Sequence, residues 1–288
     1  MSSSTPEELL STAEKKAAAT SGWFSSANTK LEEAVELFKA ASNKFRLSNR
    51  FQEAGDALMR AAETEYKLGE QDFAANTFYE ASKNYKLVRP ELAVAALQRA
   101  TQILVDKGRF RQAADREKAI AELYKNDAQD QDKALESFER AGQWYMQENA
   151  TATASGCFRE AATLAAELGQ YPKAIERWEE IAKQSLDSAL TRYSVKDFYL
   201  NAGLCYLAIP DYTAAGRALA YYAQTDPTFP PTAEGHFLHS LLEAAEKGDI
   251  ATFDQRVQDY DRVRRLQGWQ ATLLKNVRAA LTAGPDLS

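Results

Sequence analysis

Residues 51–69 read FQEAGDALMRAAETEYKLG, and this stretch shows most clearly the pattern that predicts the fold class. Its alanines and other apolar residues recur every three or four positions, which is the spacing of one face of an α-helix. Leu68-Gly69 then ends the helix. The stretch therefore predicts one short helix whose small side chains pack against other helices. The residues of its predicted buried face are Ala54, Ala57, Leu58, Ala61, Ala62, Glu65 and Tyr66.

Turn signals divide the rest of the chain into segments of about 20 residues. Several predicted helices begin with an aromatic residue that is followed three positions later by alanine. The small alanine lets two helices approach, and the aromatic ring fills the space between them. Two segments make a hairpin repeat of about 40 residues, and such hairpins stack because none can bury its apolar face alone. The turn signals are Ser48-Asn49, Leu68-Gly69, Arg89-Pro90, Lys107-Gly108, Gln129-Asp130, Glu148-Asn149, Leu168-Gly169, Asp187-Ser188, Ile209-Pro210, Pro230-Pro231, Lys247-Gly248 and Gln267-Gly268. The aromatic–alanine pairs are Phe51/Ala54, Phe110/Ala113, Tyr171/Ala174 and Tyr212/Ala215.

The chain is predicted to be all-α, since no stretch alternates apolar and polar residues with the period of a strand. Thr5-Pro6-Glu7-Glu8 predicts the first helix start, with an N-cap, a proline at the first helical position and acidic residues in the first turn. Residues 20–29, rich in serine and alanine, predict an exposed loop. The proline-rich link at 226–235 predicts a domain boundary. We therefore predict a sheet of helical hairpins over 1–225, a C-terminal helical bundle over 226–283 and a flexible tail over 284–288.

The composition argues against several classes of protein. With 288 residues and a formal net charge of -6, the chain lacks the basic character typical of nucleic-acid-binding proteins. Its two cysteines, Cys157 and Cys205, form no CxxC pattern, which argues against a disulfide framework and is typical of a reducing compartment. No apolar run approaches the roughly 20 residues of a membrane span. These features predict a cytoplasmic protein.

The sequence carries no motif of a known catalytic site. It has no P-loop, no Gly-x-Ser-x-Gly and no His-Glu-x-x-His segment. His236 and His239 lie three residues apart, but nothing nearby supplies further metal ligands, so we predict neither a metal nor a cofactor. The sequence therefore predicts a protein that is not an enzyme. A small helical metal-dependent hydrolase is the alternative from the enzyme class.

Trp23 and Phe24 stand out because their Ser/Gly/Ala-rich surroundings offer little for two large aromatic rings to pack against. One interpretation is that they pack back onto the first helices. The other is a reversible contact with a membrane surface, since Trp and Phe favour the bilayer interface. The residues alone leave both interpretations open.

Basic residues cluster in one part of this otherwise acidic chain. Solvated helix faces explain such residues without any function, but as a group they present positive potential to an acidic helical partner. The basic residues are Lys107, Arg109, Arg111, Arg116 and Lys118. Near the C-terminus, Leu287 is the one apolar residue of a short tail, and fraying without a role is the simpler interpretation.

Six segments, in order along the chain, carry a family resemblance. They are Lys30-Leu31-Glu32-Glu33-Ala34, Gly108-Arg109-Phe110, Ala141-Gly142-Gln143-Trp144-Tyr145, Tyr193-Ser194-Val195-Lys196-Asp197, Arg265-Leu266-Gln267-Gly268-Trp269 and Asp286-Leu287. Together they resemble the soluble NSF-attachment protein family, of the α/β type rather than the γ type. The resemblance spans essentially the whole chain and includes the Gly22-Trp23-Phe24 loop. Each segment alone is weakly specific, whereas the ordered set is strongly so.

The resemblance implies a right-handed superhelical stack of tetratricopeptide-like hairpins that ends in a C-terminal helical bundle. It also implies an adaptor. Several copies would wrap a SNARE four-helix bundle and recruit the hexameric NSF-type AAA ATPase, which pulls the bundle apart. The adaptor would supply geometry and stimulation rather than hydrolysis, and it would associate weakly and peripherally with membranes.

The resemblance assigns roles to individual residues. The residues that match SNARE-facing positions are Lys86, Arg109, Leu190 and Tyr193. The residues that match the family's membrane loop are Trp23 and Phe24. Glu243 and Glu246 match acidic contacts to the ATPase N-domain, and Asp286-Leu287 matches the C-terminus whose penultimate leucine stimulates the ATPase.

Three positions depart from the family pattern. Asp115 stands where the family usually has a SNARE-facing lysine, and the adjacent Arg116 is predicted to make that contact instead. Gly156 stands where another such lysine is expected, with Arg159 one helical turn away. Lys247 replaces an expected acid beside the predicted ATPase contacts.

A scaffold that clamps a peptide of another partner is the alternative within the same fold class. Such a tetratricopeptide protein has strict 34-residue repeats and a basic clamp for a carboxylate. The hairpin period of this chain is longer, which favours the first interpretation.

Overall fold

The computed structural model describes residues 4–18 and 27–283, and these residues form fourteen α-helices and no strand. The prediction of an all-α chain is thereby confirmed. The helices are α1 (Pro6–Ala18), α2 (Ala27–Leu47), α3 (Phe51–Lys67), α4 (Gln71–Tyr85), α5 (Pro90–Asp106), α6 (Phe110–Leu123), α7 (Gln131–Gln147), α8 (Thr151–Glu167), α9 (Tyr171–Leu186), α10 (Val195–Leu207), α11 (Tyr212–Thr225), α12 (Ala233–Glu246), α13 (Ile250–Arg264) and α14 (Gly268–Ala283). A π-helical turn at Tyr124–Ala128 and a 3₁₀ turn at Arg192–Ser194 complete the regular structure of this part of the chain.

The chain forms two compact units, Met1–Ala154 and Ser155–Ser288, and the boundary falls inside α8. In the first unit, consecutive helices pack against each other as antiparallel hairpins. The second unit contains α9 to α14 and most of α8. The boundary that the proline-rich link predicts between residues 225 and 226 stays a prediction.

The predicted first helix start is confirmed. Thr5 Oγ1 accepts a hydrogen bond from the Glu8 backbone N–H (3.2 Å), and the Glu8 carboxylate accepts one from the Thr5 backbone N–H (3.0 Å). This reciprocal pair satisfies N–H groups that have no partner inside the helix. The loop predicted at 20–29 is too long at its end, because α2 begins at Ala27. Alanine is a strong helix former, so a Ser/Ala-rich composition does not by itself mark a loop.

The same hydrogen-bonded turn closes hairpin after hairpin. At Gly108, which has φ +69°, the Gly108 N–H donates to the Val105 carbonyl (2.9 Å) and the Arg109 N–H to the Leu104 carbonyl (2.8 Å). This pair of bonds satisfies the last carbonyls of the helix and needs one residue with positive φ. Equivalent pairs occur at Asn49, Gly69, Asn149, Gly169 and Gly248. Every predicted turn signal falls at a junction between helices.

Small residues let the helices pack closely, as the aromatic–alanine pairs predict. The aromatic residue of each pair is the first residue of α3, α6, α9 or α11, and each paired alanine is fully buried. On α3 the prediction is wrong at one place: Tyr66 is exposed, whereas Glu65 is buried. Glu65 can be buried because Lys39 of α2 forms an ion pair with it at 2.6 Å.

A tyrosine–carboxylate hydrogen bond joins the helices of two hairpins. Tyr85 Oη of α4 donates to Asp56 of α3 (2.7 Å), and Tyr145 Oη of α7 donates to Asp115 of α6. The Tyr85 ring lies so close to α3 that a Cβ at Gly55 would meet it at 2.6 Å. Glycine is therefore required at that position.

The second unit has an aromatic core. The Trp178 ring of α9 stacks between Phe198 of α10 (centroids 5.9 Å apart) and Trp269 of α14 (6.4 Å). Tyr222 of α11 is fully buried and donates to Glu179 at 2.6 Å. The proline-rich link also contributes, because Phe229 packs edge-on against the Tyr222 ring.

Candidate partner-binding surfaces

One face of α4 and its C-cap residue supply three positions seven residues apart, Asp72, Tyr79 and Lys86. Seven residues are nearly two helical turns, so these positions lie in a line at intervals of about 10 Å. Arg109 contacts the first position and Arg116 the second. The predicted contacts Arg109, Arg116 and Lys86 therefore follow one another along α4, and we call them the basic row.

Asp72 holds the first member of the basic row in place. Arg109 Nη1 lies 3.1 Å from Asp72 Oδ1, and Lys107 Nζ lies 2.6 Å from the same oxygen. The hydrogen bond from Lys107, assisted by the charge of Arg109, holds the pKa of the Asp72 carboxyl below its usual value. One carboxylate thus faces two cations, which leaves a net positive charge at this end of the row.

The Arg116 guanidinium stacks on the ring of Tyr79, 3.5 Å from the ring centroid. Such stacking on an aromatic face orients a guanidinium while it keeps its charge. Arg116 is half-buried, whereas Lys86, at the end of α4, is exposed. The row thus ends in a freely hydrated ammonium group.

The other charged residues near the row do not extend it. The Asp115 carboxylate accepts the hydrogen bond of Tyr145, which explains an acid at a position where the family pattern has lysine. Lys118 approaches Glu122 on its own helix (3.9 Å), and Arg111 is exposed on a different face of α6. The basic cluster of the sequence is therefore not one continuous patch.

In the second unit, the turn before α10 exposes two large apolar side chains. Leu190 is 95% exposed and Tyr193 is 77% exposed. The Thr191 hydroxyl donates to the Ser185 carbonyl (3.1 Å), which fixes the turn, and Lys196 Nζ lies 4.8 Å from the centroid of the Tyr193 ring. Exposed apolar side chains on an ordered backbone are typical of contact sites for another protein.

Gly156 leaves open space on α8. A Cβ built on it has no neighbour within 4 Å, and its φ does not require glycine. Arg159, one turn further, is exposed. Steric hindrance therefore does not explain why position 156 lacks the lysine of the family pattern.

The predicted ATPase contacts Glu243 and Glu246 are both exposed near the end of α12. Lys247 Nζ lies 2.7 Å from the Glu243 carboxylate, and this hydrogen bond holds the pKa of Glu243 below its usual value. Lys247, which stands where the family pattern has an acid, therefore partly neutralises the charge of Glu243.

Four predicted site residues, Trp23, Phe24, Asp286 and Leu287, lie outside the described residues. Within the described ranges, no group of three or more His, Cys, Asp or Glu side chains is arranged to hold a metal ion. Across the same ranges, no helix is long and apolar enough to cross a membrane. Cys157 and Cys205 are both buried, and burial raises the pKa of the Cys205 thiol to about 12.

A protein-family model, "Soluble NSF attachment protein, SNAP", matches residues 4–282. The chain belongs to this family. It is 45% identical over 285 residues to "Vesicular-fusion protein SEC17" of Coprinopsis cinerea, with 99% of both chains covered. The "Alpha-soluble NSF attachment protein" of Saccharomyces cerevisiae is 36% identical (98% of this chain and 99% of the relative), and that of Homo sapiens is 33% identical (95% and 93%).

Membership of the SNAP family places the chain among proteins of vesicular fusion, which are adaptors rather than enzymes. For a SNAP-family adaptor, the surfaces that matter are those that face partners. Sequence reasoning missed Asp72 and Tyr79, which contact the predicted site residues Arg109 and Arg116. The sequence did carry a signal for these two residues, because Asp72, Tyr79 and Lys86 follow one another at intervals of seven residues.

Proposed function

We propose that this chain binds the assembled SNARE four-helix bundle and recruits and stimulates an NSF-type hexameric AAA ATPase, which disassembles the bundle. The basic row is the observation that carries the proposal. It places positive charge along about 20 Å of α4, in a chain whose formal net charge is -6. An acidic helical partner is the chemistry that such a row attracts.

The exposed turn of the second unit adds an apolar contact. Leu190 and Tyr193 would lose water on binding, and burial of one such side chain contributes roughly 1.5–3 kcal/mol. The charges of the basic row would mainly guide association and orientation, because exposed ion pairs are individually weak. SNARE binding would therefore combine electrostatic attraction by the first unit with an apolar anchor in the second.

The test of SNARE binding is the double variant Lys86→Glu/Arg109→Glu. We expect it to weaken binding to an assembled SNARE bundle at low salt, because repulsion replaces attraction at both ends of the row. The difference from wild type should shrink as salt rises, since salt screens exposed charges. Binding is measured by titration at several salt concentrations.

Arg111→Glu is the matched control, because Arg111 is an exposed arginine of α6 outside the row. It should bind the bundle almost like wild type. Helicity by circular dichroism shows whether each variant is folded. Equal binding by the double variant and the control would refute the role of the row.

Recruitment of the ATPase is assigned to Glu243, Glu246, Asp286 and Leu287. Glu243 and Glu246 lie about one turn apart at the exposed end of α12, so both acids are available to a basic surface. Because Lys247 is paired with Glu243, Glu246 is the stronger candidate of the two. We assign Asp286 and Leu287 to stimulation of the ATPase, as the family pattern implies.

Membrane contact is assigned to Trp23 and Phe24, with the protein in the cytoplasm and peripherally associated with membranes. Replacement of both residues by serine should lower liposome binding by roughly 2–4 kcal/mol, from the apolar area lost. Disassembly of membrane-anchored SNAREs should fall, whereas that of SNAREs without anchors should persist. A lower melting temperature with unchanged liposome binding would favour packing on the first helices instead.

A further inference from the structure

A polar cavity of about 550 Å³ lies within the second unit. Its walls come from α8, α9, the 3₁₀ turn, α10, α12, α13, α14 and the turn between α13 and α14. Two of the segments that carry the family resemblance, Tyr193–Asp197 and Arg265–Trp269, contribute to these walls. The volume is that of a pocket for a small molecule.

Two buried polar atoms at this cavity have no hydrogen-bond partner among the described residues, Trp178 Nε1 and Glu234 Oε2. Trp178 is 3% exposed and Glu234 is 2% exposed. The indole is held between Phe198 and Trp269, so it cannot turn towards another acceptor. Buried polar groups in proteins are normally hydrogen-bonded. The side chains that line the cavity therefore include one unused donor and one unused acceptor.

Basic side chains surround these two atoms. Lys196 Nζ and Arg264 Nη1 lie 3.4 Å and 3.8 Å from Glu234 Oε1, so two cations face this one carboxylate. Arg159 and Arg265 also line the cavity. Neither has a carboxylate within ion-pair distance in the part of the chain that the structure describes. Glu160 and Asp197 also line the cavity, so its four basic and three acidic side chains leave one net positive charge.

The turn that carries Arg265 is held in an unusual conformation. Arg265 has φ +51° and ψ 107°, a combination that non-glycine residues adopt only when the surrounding structure imposes it. The Leu266 N–H donates to the Asp261 carboxylate (2.8 Å), which fixes the turn. The backbone at Arg265 is thereby fixed beside the cavity before any ligand binds.

We propose that this cavity binds a phosphorylated polyol. A hydroxyl group both accepts and donates hydrogen bonds, so polyol hydroxyls satisfy Trp178 Nε1 and Glu234 Oε2. A phosphate group matches Arg159 and Arg265, because one guanidinium group can donate two parallel hydrogen bonds to two phosphate oxygens. Inorganic phosphate alone offers no polyol hydroxyls to these two atoms, and a neutral polyol offers no negative charge to the two arginines. The ligand comes either from solution or from the headgroup of a lipid.

The first experiment is calorimetric titration of the full chain with myo-inositol 1-phosphate, with myo-inositol and with inorganic phosphate. We expect one inositol phosphate per chain, bound at least about tenfold more tightly than either fragment, because only it satisfies both groups. Equal affinity for inorganic phosphate would overturn the proposal. No binding of inositol phosphate at low salt would also overturn it.

Variants then assign the contacts. Trp178→Phe keeps an aromatic ring between Phe198 and Trp269 and removes the N–H donor together with part of the indole. It should lower the affinity for inositol phosphate about fivefold to tenfold, and leave that for inorganic phosphate unchanged. Arg159→Gln should lower both affinities, and Arg111→Gln is the matched control without effect. Glu234→Gln, which replaces one acceptor oxygen by a donor, is the second variant for the polyol contact. Wild-type affinity in Trp178→Phe and Glu234→Gln would overturn the assignment.

Vesicles distinguish the two sources of the ligand. Phosphatidylcholine vesicles with and without phosphatidylinositol are compared for capture of the chain by flotation. Capture that requires phosphatidylinositol and is weakened by Trp178→Phe assigns the site to the lipid headgroup. Binding of soluble inositol phosphate without such capture assigns it to a free ligand. Capture that is equal with both kinds of vesicle and insensitive to Trp178→Phe, together with no soluble binding, overturns the proposal.

Discussion

Gly156→Lys should increase both the stability of the chain and its affinity for the SNARE bundle. Gly156 is the sixth residue of α8, and a side chain there enters open space. Glycine inside a helix costs roughly 0.8–1.0 kcal/mol relative to alanine, and lysine costs about 0.3 kcal/mol. The substitution should therefore stabilise the helix by about 0.6 kcal/mol.

The binding gain follows from the added charge. The new ammonium group would lie one turn from Arg159, on the helix face where the family pattern has lysine. An exposed charge pair contributes about 0.2–1 kcal/mol, which corresponds to a roughly 1.4-fold to fivefold tighter complex at low salt. The gain should decrease above about 0.1 M salt, where the Debye length falls below 10 Å.

Gly156→Ala separates the two effects, since it has the helix propensity without the charge. A stabilisation of about 1 kcal/mol should raise its melting temperature by about 2–4 °C, followed by circular dichroism, whereas its SNARE affinity should stay that of wild type. Gly156→Lys should melt slightly below Gly156→Ala and bind more tightly than both. If Gly156→Lys binds no better than Gly156→Ala, position 156 does not face the partner. If neither variant melts higher than wild type, the helix argument is wrong.

Two further predictions test one buried group and one terminal residue. Burial raises the pKa of the Glu117 carboxyl above its ordinary value of 4.5 despite the ion pair with Arg140 (3.0 Å). The folded state therefore holds this proton more tightly than the unfolded state and loses relative stability as pH rises from 4.5 upwards. Glu117→Gln should remove that loss. The melting temperature of the variant should therefore rise relative to that of wild type between pH 4.5 and pH 7. A difference in melting temperature that does not depend on pH would contradict the reasoning. Leu287→Ala should leave melting temperature, SNARE binding and ATPase recruitment nearly unchanged, and should sharply reduce stimulated ATP hydrolysis and SNARE disassembly. Hydrolysis rate against adaptor concentration measures this, and identical curves for mutant and wild type would mean that the tail is inert.

Local chemistry made the helices and turns predictable. A residue with positive φ is needed wherever the repeated turn closes a hairpin, and Gly69, Gly108, Gly169 and Gly248 satisfy that need. The aromatic–alanine pairs were equally predictable from the sequence. The two residues of each pair are only three positions apart, so the pattern that indicates a buried alanine is local. These features involve neighbours close in sequence. They therefore required no knowledge of the tertiary structure.

Pairings between distant residues were not predictable. The burial of Glu65 depends on Lys39 of the preceding helix, and the hydrogen bond of Asp115 depends on Tyr145 of the following one. Periodicity cannot reveal such partners, because helix propensity at these positions is similar whether or not a partner exists. The cavity beside Trp178 is a stronger case, since its walls come from helices more than 100 residues apart in sequence.

The basic row has the same period as its proposed partner. In a supercoiled helical bundle, equivalent side chains recur every seven residues, and the row repeats every seven residues along α4. A bundle shifted by one heptad would present equivalent positions to the same three cations. Such a surface recognises the spacing and the sign of a partner's charges rather than the identity of its residues. One adaptor can then serve many bundles whose sequences have little in common beyond that interval.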